Sequence, residues 1–384
     1  MAEGPPALVL GAGLTAVGVL RALGAHAITA FLVAPVRDVA HRSRFARRVP
    51  GPSLVDTAPA ALPGALAAAG IDRAVLIPCS DRWVRTVAEV SAIADGRYPA
   101  PVAPMASLAQ LLDKASLART AARAGVPHPR TVLVRSPADL DDVDDETLER
   151  SFLKPVDSEA FNRRFGTKGF AIRDRDTARA QVAEAARECH TLVLQEIVPG
   201  GPADHVFLDG YVDRHGRFAG LYARRRLRMH PPRFGNSTAS VTIALEEVEP
   251  AVASFERLVA ATCYRGPFDA EFARDERDGT YKLIEVNVRA WWQVGLAREC
   301  GVDVVRMAYE DALERPVAAV GSYRVGARWV NPIQDLRAVR ASREAGERAD
   351  TRGWWSAHHA VFAWDDPFPG AAELVRVLRR AKDR

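Results

Sequence analysis

The sequence predicts an α/β fold that changes character along the chain: a parallel-sheet unit comes first, and a mixed α+β part follows. Three observations lead there. Over the first hundred residues, short apolar runs at Ala7–Leu10, Ala27–Val33 and Ala74–Ile77 alternate with alanine-rich stretches of helical period at 15–24 and 59–69, the βαβ rhythm. A proline-rich crossing, Tyr98-Pro-Ala-Pro-Val-Ala-Pro104, then closes that unit. Further on, residues 266–289 read as a hairpin turning near Asp278-Gly279, a connection that antiparallel strands make.

The first unit is Rossmann-like. Gly11-Ala-Gly13-Leu-Thr-Ala16 fits the loose form of the dinucleotide fingerprint, but Val33-Ala34-Pro35 stands where an acidic residue would hold a ribose hydroxyl. Two readings follow: a tight turn that lets strand and helix pack closely, or the NAD(P) site of an oxidoreductase. Ser80-Asp81 lies at the carboxyl end of a strand, where open α/β sheets place ligands, and serves equally as a helix N-cap. After the crossing, a helix carrying Leu108, Leu111, Leu112 and Leu117 ends at Gly125-Val-Pro127-His-Pro129. There follow a strand at Thr131–Val134, an acidic surface stretch Asp139–Glu149, a strand at Phe152–Pro155, a polar loop 157–169, a helix at 176–189 and a strand at Thr191–Gln195. Beyond Pro316 come Trp329, a charged segment 335–352, Trp354-Trp355 and a basic helix 371–382, a tail that acts as a subunit contact or as a cover over one lobe.

Composition bounds the function. The 384 residues suffice for two or three packed units, and a net charge of +4 from 52 basic and 48 acidic residues is too small and too mixed for a nucleic-acid protein. The four cysteines, Cys79, Cys189, Cys263 and Cys300, are far apart, so neither a disulfide framework nor a zinc site is expected and a reducing cytoplasm is the expected compartment. The apolar start is too short and glycine-rich for a signal peptide, and no run approaches the about 18 apolar residues of a membrane span.

The chemistry concentrates in the hairpin. In a strand, side chains i, i+2 and i+4 share a face, so Glu285, Asn287 and Arg289 point one way while Ile284, Val286 and Val288 point into a core. With the turn near Asp278-Gly279, Glu271 on the first strand falls roughly opposite Glu285 and Asn287. Two carboxylates and an amide oxygen then meet, a set that suits Mg²⁺ (with Mn²⁺ as a substitute) holding nucleotide phosphates; otherwise the segment is a solvated acidic edge. Lys154 ends a strand just before Pro155, placed to pair with an anion, and the loop residues Gly166, Lys168 and Gly169 are placed to close over it. No GxxxxGK[ST] is present, so this is not a P-loop. Gln195-Glu196-Ile197-Val198-Pro199-Gly200-Gly201 reads as a hinge whose backbone groups are free to bind a purine edge.

With Asp113-Lys114 opening a helix, Gly125-Val-Pro127, Leu153-Lys154-Pro155, the 157–169 loop, Gln195–Gly200, Glu271-Phe272 and Ile284–Arg289 in this order, the chain resembles the ATP-grasp superfamily of carboxylate-amine ligases. The resemblance implies a Rossmann-like domain at 1–105, a two-lobed ATP-grasp fold with its small lobe at 106–190 and its metal-bearing lobe at 191–316, and an extension at 317–384 packed on it. It implies Lys114 and Lys154 on the phosphates of ATP, Glu196 to Val198 as the adenine hinge, Asp204 on the ribose, and Glu271, Glu285 and Asn287 as Mg²⁺ ligands. The loop carries Arg163, Arg164 and Lys168 where the family pattern is glycine-rich. The implied reaction makes an acylphosphate from a small-molecule carboxylate, of an amino acid or small peptide, and joins it to an amine, with thiol or hydroxyl acceptors as the alternative. No nucleic acid and no membrane takes part, and a homodimer is compatible with it.

Arg224, Arg226 and Arg228 alternate with Arg225 and Leu227, so a strand aims the first three at one face. Arg228 and Arg289 are the choices for holding the substrate carboxylate and the acylphosphate, because a planar fork fits both anions; for Arg228 a solvated strand edge is an equal reading. His230 is placed either to take the amine proton or to serve structure beside Pro231-Pro232, and Trp291-Trp292 either wall the acceptor pocket or pack the core.

Overall fold

The computed structural model describes residues 4–156, 158–232, 235–346, 349 and 351–382. Its strands form three sheets. The first holds β1 (Ala7–Leu10), β2 (Ala30–Val33), β3 (Ala46–Arg48) and β4 (Val75–Pro78) in the order β3-β2-β1-β4, all parallel, as the βαβ rhythm predicts. Gly11 follows β1 with φ +136°, and a Cβ there would lie 2.8 Å from the Cβ of Cys79. Only glycine tolerates both the backbone angle and the close approach, which supports the tight-turn reading of the fingerprint.

The second sheet, ordered β5-β8-β6-β7, contains β5 (Thr131–Val134), β6 (Ser151–Pro155), β7 (Phe170–Ala171) and β8 (Leu192–Glu196), all antiparallel. Because β8 pairs with both β5 and β6, the expected division at 190/191 cuts a strand from its own sheet; this lobe runs to Glu196. Two further expectations change here. The helix through Leu108–Leu117 is two helices, Met105–Leu111 and Lys114–Arg123, because the Asp113 carboxylate caps the second by accepting from Ser116 N at 2.7 Å. Much of the expected loop 157–169 is helix, Ser158–Phe165, since Phe161 and Phe165 at spacing i, i+4 share a face and pack on Phe170 and His190.

The third sheet has seven strands: β9 (His205–Val212), β10 (Phe218–His230), β11 (Asn236–Ile243), β12 (Gly266–Arg274), β13 (Tyr281–Asn287), β14 (Arg328–Val330) and β15 (His358–His359), ordered β13-β12-β9-β10-β11-β14-β15. The segment 317–384 therefore supplies two strands of this sheet and is not merely laid upon it. The hairpin register pairs Glu271 with Glu285 and Asp269 with Asn287, then slips at Phe272, which pairs with Leu283. Ile284 is the extra residue of this β-bulge. It faces the cavity described below, and Leu283 takes the core position expected for Ile284, beside Val286 and Val288.

One core joins the first and third sheets: Val17 and Leu20 of the helix Gly13–Ala25 pack in the same cluster as Tyr222, Trp291, Leu296 and Trp329. Trp291 is thus core, and Trp292 packs edge-on against Trp329. Fully buried Asp366 locks the chain's end onto the first unit, accepting from Arg21 Nε at 3.0 Å, Ser43 Oγ at 2.8 Å and Arg44 N at 2.8 Å. Among the described residues, no helix is long and apolar enough to cross a membrane.

Candidate functional site

The three sheets and the chain's end surround one cavity of about 1680 Å³. Its lining brings together Lys114, Lys154, Lys168, Gln195, Glu196, Ile197, Val198, Arg228, Glu271, Glu285, Asn287 and Arg289, residues that span most of the sequence. Asp204 is not in the lining: its carboxylate closes its own turn by accepting from Gly201 N at 2.8 Å. His230 is likewise outside the lining, which removes the geometric basis for its taking an amine proton.

The lysines share one region. Lys154 Nζ donates to Gln195 Oε1 at 3.0 Å and stands 4.7 Å from the ring of Phe152. Burial pulls its pKa down to about 8, because desolvation of the ammonium outweighs the attraction of Glu285 and Glu271. Lys114, at the start of its helix, lies 3.9 Å from Glu285 Oε1. Lys168 donates to Asn236 Oδ1 from beyond the helix Ser158–Phe165 and is also pulled down by burial. At the hinge, Glu196 N and Ile197 N are given to the carbonyls of Arg130 and Arg150, and the Glu196 side chain is tied to Arg277 and Lys282. That leaves the Val198 peptide, in the cavity wall, without a backbone partner for its N–H among the described residues.

Opposite stand the oxygen donors. Glu271 accepts from Arg226 at 2.8 Å and meets His205 Nδ1 at 2.7 Å. Burial alone would raise its pKa, but Arg226 and His205 outweigh burial and hold the carboxyl well below the usual range, so it stays ionised. Glu285 is more open, its side chain 41% exposed. Asn287 donates to Asp269 Oδ2 at 3.0 Å, which turns its own Oδ1 toward Arg289 Nη2, also at 3.0 Å. Among the described residues, no three His, Cys, Asp or Glu side chains converge to hold a metal. Two carboxylates opposed in register plus one amide oxygen make a hard, incomplete set, which fits Mg²⁺ when a phosphate and waters supply the remaining oxygens.

The basic strand alternates as expected, with Arg225 on the far face paired to Glu247. Its inner arginines serve the protein. Arg224 is buried between Asp209 at 2.6 Å and Asp269 at 2.8 Å, Arg226 holds Glu271, and Arg228 is gripped by fully buried Asp335 at 2.5 to 3.0 Å. Thr238 and Trp354 share Asp335, so Arg228 is already neutralised within a buried network. Arg289 is different: its Nε meets Asp81 Oδ1 at 2.7 Å in the cavity wall. Sequence reasoning passed over Asp269, His205 and Asp335. Asp269 sits two residues before Glu271 on the same strand face, so the period of two does carry a signal for it; His205 and Asp335 join through pairings with no local signature.

A four-stranded antiparallel sheet and a seven-stranded sheet, antiparallel except for its β14–β15 pair, facing each other across a cleft behind a Rossmann-like unit, give the ATP-grasp fold. Solved structures support this. The chain superposes on an L-amino acid ligase from Bacillus licheniformis with a TM-score of 0.62 (14% identity; 82% of this chain, 75% of that one). It matches a biotin carboxylase–β,γ-ATP complex from Campylobacter jejuni at 0.64 (14%; 84% and 74%) and an ADP complex of N5-carboxyaminoimidazole synthetase from Staphylococcus aureus at 0.62 (14%; 85% and 81%). In sequence, D-aspartate ligase of Enterococcus faecium (strain Aus0004) is 23% identical over 248 residues, covering 62% of this chain and 58% of that protein, so the chain spans less than two thirds of its relative. No protein-family model matches.

Proposed function

We propose that the chain is an ATP-dependent, ADP-forming ligase that activates a carboxylate as an acylphosphate and joins it to an amine. One observation carries this: Lys114, Lys154, Glu271, Glu285, Asn287 and Arg289 line one cavity between the four-stranded and seven-stranded sheets, whose fold is shared with ATP- and ADP-bound structures. The D-aspartate ligase and L-amino acid ligase among its likenesses support an amino-acid substrate. Val198 and its hinge take the adenine edge, Lys114 and Lys154 pair with phosphate oxygens, and Glu271, Glu285 and Asn287 hold Mg²⁺. When bound, that ion neutralises charge on the phosphate chain and fixes its orientation. Arg289 aligns the acid so that a carboxylate oxygen attacks the γ-phosphorus and ADP departs with the electron pair of the broken P–O bond. The amine nitrogen then forms its bond to the acyl carbon, phosphate leaves, and the amine proton passes to solvent.

Mixing the protein with Mg²⁺-ATP and pairs of amino acids and amines is expected to release ADP and phosphate in step with a new amide mass. A protein that binds no ATP by calorimetry would refute the proposal. A thioester or ester mass would place the acceptor outside nitrogen. The oxidoreductase reading loses its basis in the first unit, because the Asp38 carboxylate accepts from Gly13 N at 2.9 Å and so puts negative charge where a pyrophosphate would sit. NADH fluorescence is accordingly expected to stay unchanged on mixing.

Lys154 gives a pH signature. With its free-site pKa at about 8 it loses its charge as pH rises above that value, so the ammonium that pairs with phosphate is present below pH 8 and lost above it. ATP affinity is expected to weaken by up to about tenfold per pH unit above 8. Calorimetry from pH 7 to 9.5 checks this, and Lys154→Met is expected to bind weakly throughout with a flatter profile.

A further inference from the structure

Arg289 and Asp81 come from different units, 208 residues apart, and meet in the cavity wall. Asp81 opens the helix Asp81–Ile93 just beyond β4, where Ser80 caps, so its carboxylate stands at a fixed point on the Rossmann-like unit. Arg289 follows β13 and is aimed by two further bonds, Nη1 to Ala290 O and Nη2 to Asn287 Oδ1, both 3.0 Å. Its fork is therefore held beside the proposed metal ligands. Asp81 Oδ1 meets Nε at 2.7 Å, while Oδ2 has no hydrogen-bond partner among the described residues and the side chain is 51% exposed. A pair that only tied the units together would be finished on both oxygens and shut away, as Asp366 is with Arg21, Ser43 and Arg44. The Asp81 pair leaves an anionic oxygen beside a cationic fork, both open to the cavity.

We infer that Asp81 binds the ammonium group of an α-amino acid whose carboxylate lies on Arg289, so that the acid activated is a free α-amino acid reacting at its α-carboxyl; this rests on the ligase reading above. An α-amino acid carries its two charges on groups separated by a single carbon, which matches an acid and a fork in direct contact. A side-chain carboxyl on Arg289 would carry the ammonium at least one carbon further from Asp81. An N-acylated acid would present a bulkier neutral amide, and no cation, to the open Oδ2 of Asp81.

Hydroxylamine tests this without knowledge of the amine, because it displaces phosphate from an acylphosphate to give a hydroxamate. Free amino acids and their N-acetyl derivatives are compared pair by pair with Mg²⁺-ATP, for the unaltered protein, Asp81→Asn and Asp81→Glu, with melting curves to establish that each variant is folded. The expected result is a preference for free acids of at least about tenfold in kcat/KM, a ratio near one in Asp81→Asn with KM for ATP within about twofold, and part of the preference retained in Asp81→Glu. If Asp81 only positions Arg289, Asp81→Asn lowers turnover of both acids alike and keeps the ratio, which overturns the inference. Equal hydroxamate yields from N-acetyl and free acids with the unaltered protein also overturn it, while leaving the ligase reading in place. No nucleotide binding and no hydroxamate from any acid would bring down the ligase reading and this inference together.

Discussion

Glu285→Ala is expected to lower kcat/KM for ATP-dependent phosphate release by about 10² to 10³-fold while leaving the melting temperature nearly unchanged. The two halves of that expectation come from different features of one side chain. In the folded chain Glu285 is half-buried and meets Lys114 at 3.9 Å, a geometry too long and too solvated to contribute much stability. In the proposed reacting complex it would be one of two carboxylates holding Mg²⁺, with Glu271 directly opposite, and no other acidic residue of its strand Tyr281–Asn287 could replace it. Glu271 is the poorer probe, because its removal also strands Arg226 and His205 without their shared partner and mixes a folding defect with a catalytic one. Phosphate release at varied Mg²⁺, beside melting curves for both variants, separates the two effects. Unaltered turnover in Glu285→Ala would take Glu285 out of the metal set.

How much of this was legible in the sequence depends on how far apart the cooperating residues lie. The period of two carried across β10, where Arg224 and Arg226 face the cavity and Arg225 pairs behind the sheet, and the turn near Asp278-Gly279 brought Glu271 roughly opposite Glu285, the pairing itself depending on a bulge. These are local rules acting within some twenty residues. The bulge at Ile284 has no such rule, since one extra residue is accommodated by the packing of Leu283 and not announced by composition. The helix Ser158–Phe165 did carry a signal in Phe161 and Phe165, masked by the polar and glycine-bearing residues around it. What the sequence concealed are the long-range partners: Asp335 for Arg228, Asp81 for Arg289 and Asp366 for Arg21 meet only after three sheets have assembled. Arg228 shows the consequence, because a strand-borne arginine facing a cleft looks free until its buried acid is known.

Arg224→Met is expected to cost about 3–5 kcal/mol of folding stability at pH 8, the largest stability effect of any single change in the site. Arg224 is 1% exposed in its side chain and stands between the Asp209 and Asp269 carboxylates, with its guanidinium 3.8 Å from the Phe207 ring centroid. Methionine fills much of the stem's volume, so packing loss is secondary and the cost comes from two buried acids left without their countercharge. Burial and the neighbouring Asp209 already push the Asp269 carboxyl well above its usual pKa, and Arg224 opposes that push. Without the arginine Asp269 takes up a proton more readily in the folded state than in the unfolded one. A folded-state pKa raised above the unfolded value contributes stability at low pH and loses it as pH rises, so the deficit of the variant shrinks on acidification. Denaturant unfolding at pH 5 and pH 8 reads this directly: a smaller gap from the unaltered protein at pH 5 is expected, and replacing Asp209 by leucine in the Arg224→Met background is expected to recover part of the loss. A gap independent of pH would mean that lost packing, and not stranded charge, sets the cost.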